Sequence, residues 1–374
     1  KLLTITAFYV ITCGLFFFIT RLLPIPAGTG VIIALLLSGF LGGLILFIAP
    51  NLIDWTQKRL YRVHWVSLAE IKRYSPESAA VIGRICREKG LKPPKLGIIE
   101  EGQPLAFTYG SRRGNARLVV SRGLFTYLDD EELATVYAHE LGHIWQGDFA
   151  LMTICASFDH LSCYLDSFAQ NQGNNFKDTV FLALLSSIIT IFRPIIVFCC
   201  LYLSRTREYF ADHFAAQVTG NPNALARALV KIAFGLVQET AQFSPLSFST
   251  KVLNIALEQD AIIAGNVYGI ALESRRIGQS FLWDIYNPWA KWLELQSNHP
   301  LTGERIRALT NYARQMDLDI EFSLGEVLRK KMELNPKKLY QNFCLRLCLY
   351  YASGLGFIIG VVIAGFLWLK FSSW

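Results

Sequence analysis

Residues 136–148 read VYAHELGHIWQGD. Two histidines, His139 and His143, stand four apart, and Glu140 directly follows the first. The surrounding residues suit a buried helix, where a polar group without a partner is costly. On a helix, positions i and i+4 share one face, so both imidazoles reach a single point. Imidazole nitrogen is a preferred zinc ligand. Glu140 sits about 100° further round, off that point but able to hold a water beside it. The spacing predicts a metal site with His139 and His143 as ligands and Glu140 placed to hold a metal-bound water. Asp129, with Glu132 three residues on, predicts a capping box that opens this helix, and Gly147 suits its end.

A catalytic zinc needs a third protein ligand and one open position. The remaining histidines, His64, His160, His213 and His299, are scattered. The segment 204–217, SRTREYFADHFAAQ, offers Glu208 and Asp212 four apart on one helical face. Glu208 would complete the ligand set, and Asp212 would orient a ligand histidine from behind. The competing reading is a solvated acidic pair beside Arg205 and Arg207.

The rest of the composition places this site near lipid. Of 374 residues, 52% are hydrophobic and only 17% charged, where a soluble domain has about a quarter. Mean hydropathy is +0.33. Residues 2–20 and 31–49 are runs without a charge, each about 28 Å long as a helix. A third apolar run occupies 347–369. The expected fold is a mainly α-helical integral membrane protein, with multi-span helices plus a zincin-like catalytic domain containing a small β-sheet. Basic residues crowd the inner flanks of the second and last runs, which places the catalytic domain on the cytoplasmic side. The net charge of +7 lies largely in those flanks, without a stripe of interleaved aromatics, so nucleic acid is excluded as a partner. Eight cysteines form no CxxC pair, and disulfides are not expected in that compartment.

Five parts follow: a transmembrane hairpin (1–50), a first catalytic part with the small sheet and metal helix (51–148), a membrane hairpin (149–203), a second catalytic part (204–340) and a final transmembrane helix (341–374). Residues 51–68 read as a segment lying along the membrane surface. Ser75-Pro76 opens a helix that Gly90 ends. Strands are expected at 96–100, 104–110 and 116–121, leaving one exposed sheet edge. His143 and Glu208 must meet on one side of the bilayer, so the chain between them crosses an even number of times. A hairpin of 149–165 and 179–203, with Arg193-Pro194 interrupting its second arm, is preferred; zero crossings is the alternative.

HELGHIWQGD, then SRTREYFADHFAAQVTGNPNAL, then SNHPLTGERI (297–306), in that order, resemble the HtpX-like membrane zinc metalloproteases, gluzincins related to type-1 CAAX prenyl proteases. The resemblance spans roughly 94–309 and the two leading runs. It implies one zinc per chain on His139, His143 and Glu208, and Glu140 as base and acid. It further implies that His299 helps stabilise the oxyanion and that Arg305 ties the acidic helix in place. Polypeptide substrates, chiefly membrane proteins and damaged ones among them, would be cut at the cytoplasmic membrane face. Substrate would lie extended along the edge at Pro104, Leu105, Ala106 and Phe107. There the family carries Asn-Ala-Phe and this chain Leu105-Ala106-Phe107, so backbone pairing carries over but side-chain specificity does not. The final span is extra to the family plan, and the oligomeric state is open. Two alternatives remain: a protease of prenylated CAAX peptides, and a non-catalytic membrane scaffold that retains a zinc site.

Overall fold

The computed structural model describes residues 26–60, 62–147, 176–240, 284–295, 297–322 and 337–348, with Cys13, Phe16, Phe17 and Thr20 before them. The metal motif lies on a central helix, and the other elements are arranged about it. In chain order they are α1 (Ala27–Leu60), β1 (His64–Val66), α2 (Leu68–Tyr74), α3 (Pro76–Glu88), β2 (Lys95–Ile99), β3 (Ala106–Gly110) and β4 (Ala116–Ser121). After them come α4 (Arg122–Tyr127), α5 (Asp130–Gln146), α6 (Phe176–Thr219), α7 (Pro222–Thr240), α8 (Pro288–Glu294) and α9 (Thr302–Gln315). The described part is mostly helical with one small sheet.

Local chemistry sets the limits of α5. Asp129 and Glu132 form the expected capping box, and Gly147 ends the helix with φ +68, a conformation that costs glycine little. Between those stops nearly every side chain is buried. Leu133, Tyr137, Leu141 and Ile144, at helical spacing, are each 2% exposed or less. Burying a large apolar side chain contributes about 1.5–3 kcal/mol, which anchors the helix before any ligand binds. Buried Glu132 also takes ion pairs from Lys231 (2.5 Å) and Arg227 (3.3 Å) of α7.

The sheet order is β1-β2-β4-β3. β2 and β4 are parallel, whereas β1–β2 and β3–β4 are antiparallel. Alternation divides the sheet between two environments. Leu96, Ile98, Leu118 and Val120 join the helical core with Ile82, Ile85, Leu141, Phe214 and Ile306. Ile99, Tyr109 and Val119 form a second cluster, against which Ile53 of α1 packs. Asp54 of α1 adds a polar clamp there. It accepts from Arg117 Nε at 3.0 Å and Nη2 at 3.0 Å, and from the Tyr109 hydroxyl at 2.8 Å. The long first helix is thereby bolted to the sheet.

The structure corrects several sequence readings. Residues 51–68 do not form one surface segment: α1 runs to Leu60, Arg62 turns the chain with φ +50, and His64–Val66 pairs with β2. Three residues are too few to display a strand period. Strand β3 begins at Ala106, two residues later than expected, with Pro104 and Leu105 buried ahead of it. Pro194 does not interrupt its helix, because α6 is continuous for 44 residues, about 66 Å. Proline loses one N–H bond but its fixed φ is already helical. Cys200 is disulfide-bonded, against the expectation of free thiols throughout. Among the described residues, no helix is long and apolar enough to cross a membrane, so the multi-span reading gains no support from them. Most of the first and last expected spans, and residues 149–175, lie outside the described residues.

Gly142 permits the closest approach of α5 to α6. A Cβ there would stand 3.0 Å from Phe214 Cδ1 and 3.3 Å from the Ala211 Cα. Gly142→Val is expected to destabilise the protein by about 1–3 kcal/mol through overpacking, and to weaken metal binding by moving Glu208 away. Thermal unfolding and a zinc titration check this; an unchanged midpoint with unchanged affinity would contradict the packing argument.

Candidate metal centre

Three side chains converge between α5 and α6. His139 Nε2 and His143 Nε2 are 3.2 Å apart. Glu208 Oε2 lies 3.4 Å from the first, and Oε1 lies 3.4 Å from the second. All three side chains are buried. Four-coordinate geometry with bonds of about 2.0–2.1 Å sets ligand atoms about 3.3 Å apart. The observed spacing therefore fits a metal ion. A second observation agrees: buried Glu208 Oε2 lies among cationic groups yet has no aligned hydrogen-bond donor among the described residues. These three residues form the metal-capable cluster of the described chain.

Charged groups surround the cluster and fix its side chains. Asp212, fully buried, lies 2.9 Å from His139 Nδ1, which leaves Nε2 facing the cluster. Arg305 of α9 donates to both Asp212 oxygens, from Nε at 2.8 Å and Nη2 at 2.7 Å. Its Nη1 stands 3.3 Å from Glu208 Oε2, and His299 Nδ1 stands 3.1 Å from the same oxygen. Burial works against the Glu208 charge, but His299 and Arg305 outweigh it and hold its pKa well below the usual carboxylate range. Burial also opposes a charge on His139; Asp212 and Glu208 overcome it and raise that pKa to about 9. Burial pushes His143 the other way, towards the neutral form that ligates metals.

Most predicted site residues meet here. His139, His143, Glu208, Asp212, His299 and Arg305 form one contact network, and Glu140 is buried on the same helix. The solvated-pair reading of Glu208 and Asp212 fails, since they are 4% and 0% exposed. His213 is exposed, with its ring against Tyr312 at 4.7 Å, and His64 lies exposed on β1; neither belongs to the cluster. His160 lies outside the described residues. Of the expected substrate strand, Ala106 and Phe107 are half-buried on β3. That strand is an edge of the sheet among the described residues and packs against α5. The Asp54 clamp escaped the sequence reading, because a lone aspartate after an apolar run carries no spacing signal. Asp284 escaped too; its Oδ2 accepts from the Gly303 N–H at 2.9 Å at the start of α9. Trp289 and Trp292 pack on Phe343.

Two histidines one turn apart, a buried carboxylate from a second helix and an adjacent glutamate define a metallopeptidase site of the His-Glu-x-x-His class. The chain belongs to peptidase family M48, whose model matches residues 74–313, and it is a metalloprotease of the HtpX-like kind. It is similar to the protease HtpX homolog of Methanothermobacter thermautotrophicus, 33% identical over 189 residues, covering 50% of this chain and 68% of that one. It is also similar to the protease HtpX homolog of Aquifex aeolicus, 29% identical over 300 residues, covering 77% of this chain and 85% of that one. The crystal structure of S. mikatae Ste24p matches with TM-score 0.43 and 18% identity, over 81% of this chain; this chain spans 63% of that one.

Asp212→Asn removes the charge behind His139 without changing shape. The zinc dissociation constant is expected to rise about 10–100-fold, read by competition with a chromophoric chelator. An unchanged constant would remove Asp212 from the site.

Proposed function

We propose that the chain is a membrane-bound zinc endopeptidase that cuts polypeptides, membrane proteins and damaged ones included, at the cytoplasmic membrane face. The observation that carries this is the convergence of His139, His143 and Glu208 at tetrahedral spacing, with Glu140 buried next to the first ligand. His139, His143 and Glu208 would hold a zinc ion, which would supply Lewis acidity for a scissile carbonyl and lower the pKa of water towards neutrality. Glu140 takes a proton from the attacking water and returns it to the leaving amine. His299, 27% exposed at its side chain and held against Glu208, faces both the cluster and solvent, where it donates to the developing oxyanion. Arg305 neutralises Asp212 and Glu208 and keeps α9 against α6.

Substrate adds an extended strand to the free edge of β3, at Ala106 and Phe107. Backbone pairing of that kind tolerates many sequences, which suits an enzyme of broad duty. Pro104 and Leu105, buried before the strand, shape its entry rather than its pairing. Lipid contact is supported by α1, where Ile32, Leu36, Phe40 and Phe47 are 59%, 68%, 68% and 77% exposed, more apolar surface than water tolerates well. The catalytic domain is built in two parts, 51–148 and 204–340, on either side of a membrane hairpin.

Glu140→Gln keeps the shape of the side chain and removes the base. Cleavage of a polypeptide reporter is expected to fall about 10²–10⁴-fold, with zinc content still one per chain. Equal cleavage by both forms would refute the assignment, and loss of zinc by the variant would show Glu140 to be structural.

A further inference from the structure

Arg205 lies three residues before Glu208 on α6, so the two share a face of one helix. It is 7% exposed. Its Nη1 donates to the carbonyls of Glu294 at 2.7 Å, Leu295 at 3.3 Å and Ser297 at 2.8 Å, some ninety residues along the chain. Those carbonyls belong to the end of α8 and the turn after it. A carbonyl at a helix end has no partner within the helix and needs one from elsewhere.

The turn continues directly into His299. Ser297 is 2% exposed. Its hydroxyl donates to the His299 carbonyl at 2.7 Å and accepts from the His299 N–H at 3.1 Å. The Ser297 N–H in turn donates to the Glu294 carbonyl at 3.0 Å. His299 then reaches Glu208 Oε2 at 3.1 Å. Both anchors of His299 thus belong to one turn of α6: Glu208 touches its ring, and Arg205 holds the backbone that carries it.

We propose that Arg205 is a positioning residue for His299, acting through the carbonyls of Glu294, Leu295 and Ser297 and the Ser297 hydroxyl. This rests on the reading of His299 as a participant in peptide hydrolysis. All three bonds come from Nη1, whose place the rigid guanidinium plane fixes, whereas a lysine ammonium is a mobile, strongly hydrated point charge on a flexible stem. Lysine at 205 keeps the charge and no longer fixes the donor against the turn.

The test uses the full-length zinc-loaded protein and a polypeptide reporter, with Arg205→Lys, His299→Ala and the double variant. Arg205→Lys is expected to lower kcat about 10–100-fold, the scale of a misplaced catalytic group, with KM and zinc content unchanged. In the His299→Ala background the same change is expected to cause no further fall, because the two act as one unit. Amide exchange at Ser297 and His299 is expected to quicken in Arg205→Lys, with or without zinc. Multiplying losses in the double variant, loss of zinc, or unchanged exchange would each overturn the positioning role while leaving His299 in place. A harmless His299→Ala would instead overturn the reading of His299 itself, and the positioning role with it.

Discussion

Two carboxylates buried on one helix face are the constraint around which this molecule is organised. Glu208 and Asp212, four apart on α6, are almost wholly shielded from water. Each buried charge carries a desolvation cost of several kcal/mol unless matched. The match comes from three other places in the chain: the imidazoles of α5, the guanidinium of Arg305 on α9, and His299 ahead of α9. A metal ion held by the two imidazoles and Glu208 would complete the neutralisation. Metal binding and the docking of α5, α6 and α9 are therefore one electrostatic problem with one solution.

Close approach makes that solution reachable. Gly142 stands between His139 and His143 in sequence and lies against Ala211 and Phe214, so no side chain keeps α5 and α6 apart. Ala211, Ala215 and Ala216 keep the facing stretch of α6 thin and buried. Around this seam the larger core residues do ordinary packing, and the sheet lies with one face on them. Its other face turns to α1, where Asp54 grips Arg117 and Tyr109. Tyr109 is on β3, the strand whose edge is offered to substrate in the proposed mechanism. α1, with its many exposed apolar residues, is thus mechanically continuous with that strand.

Arginine recurs in this design because burial rewards planar, multidentate donors. Arg117 fastens the sheet to α1, Arg205 fastens the α8 turn to α6, and Arg305 fastens α9 to the acidic face. Each links elements that lie far apart in sequence. None is announced by local spacing, since each partner is a carbonyl or carboxylate elsewhere in the chain.

The amino-acid sequence determined what depends on near neighbours. Spacing along a helix put His139 beside His143 and Glu208 beside Asp212, and capping chemistry set both ends of α5. Composition indicated abundant apolar surface, and alternation found three of the four strands within a residue or two. Tertiary structure decided what depends on distant partners. It joined the acidic pair to the histidine pair, recruited His299 and Arg305 to the same oxygen and ring system, and tied Asp54 to the sheet. It also carried α6 unbroken through Pro194 and made His64–Val66 a strand. The physical reason is one of range: helical and turn geometry is written over a few residues, whereas a buried charge is answered by whichever opposite charge the whole packing brings within about 3 Å.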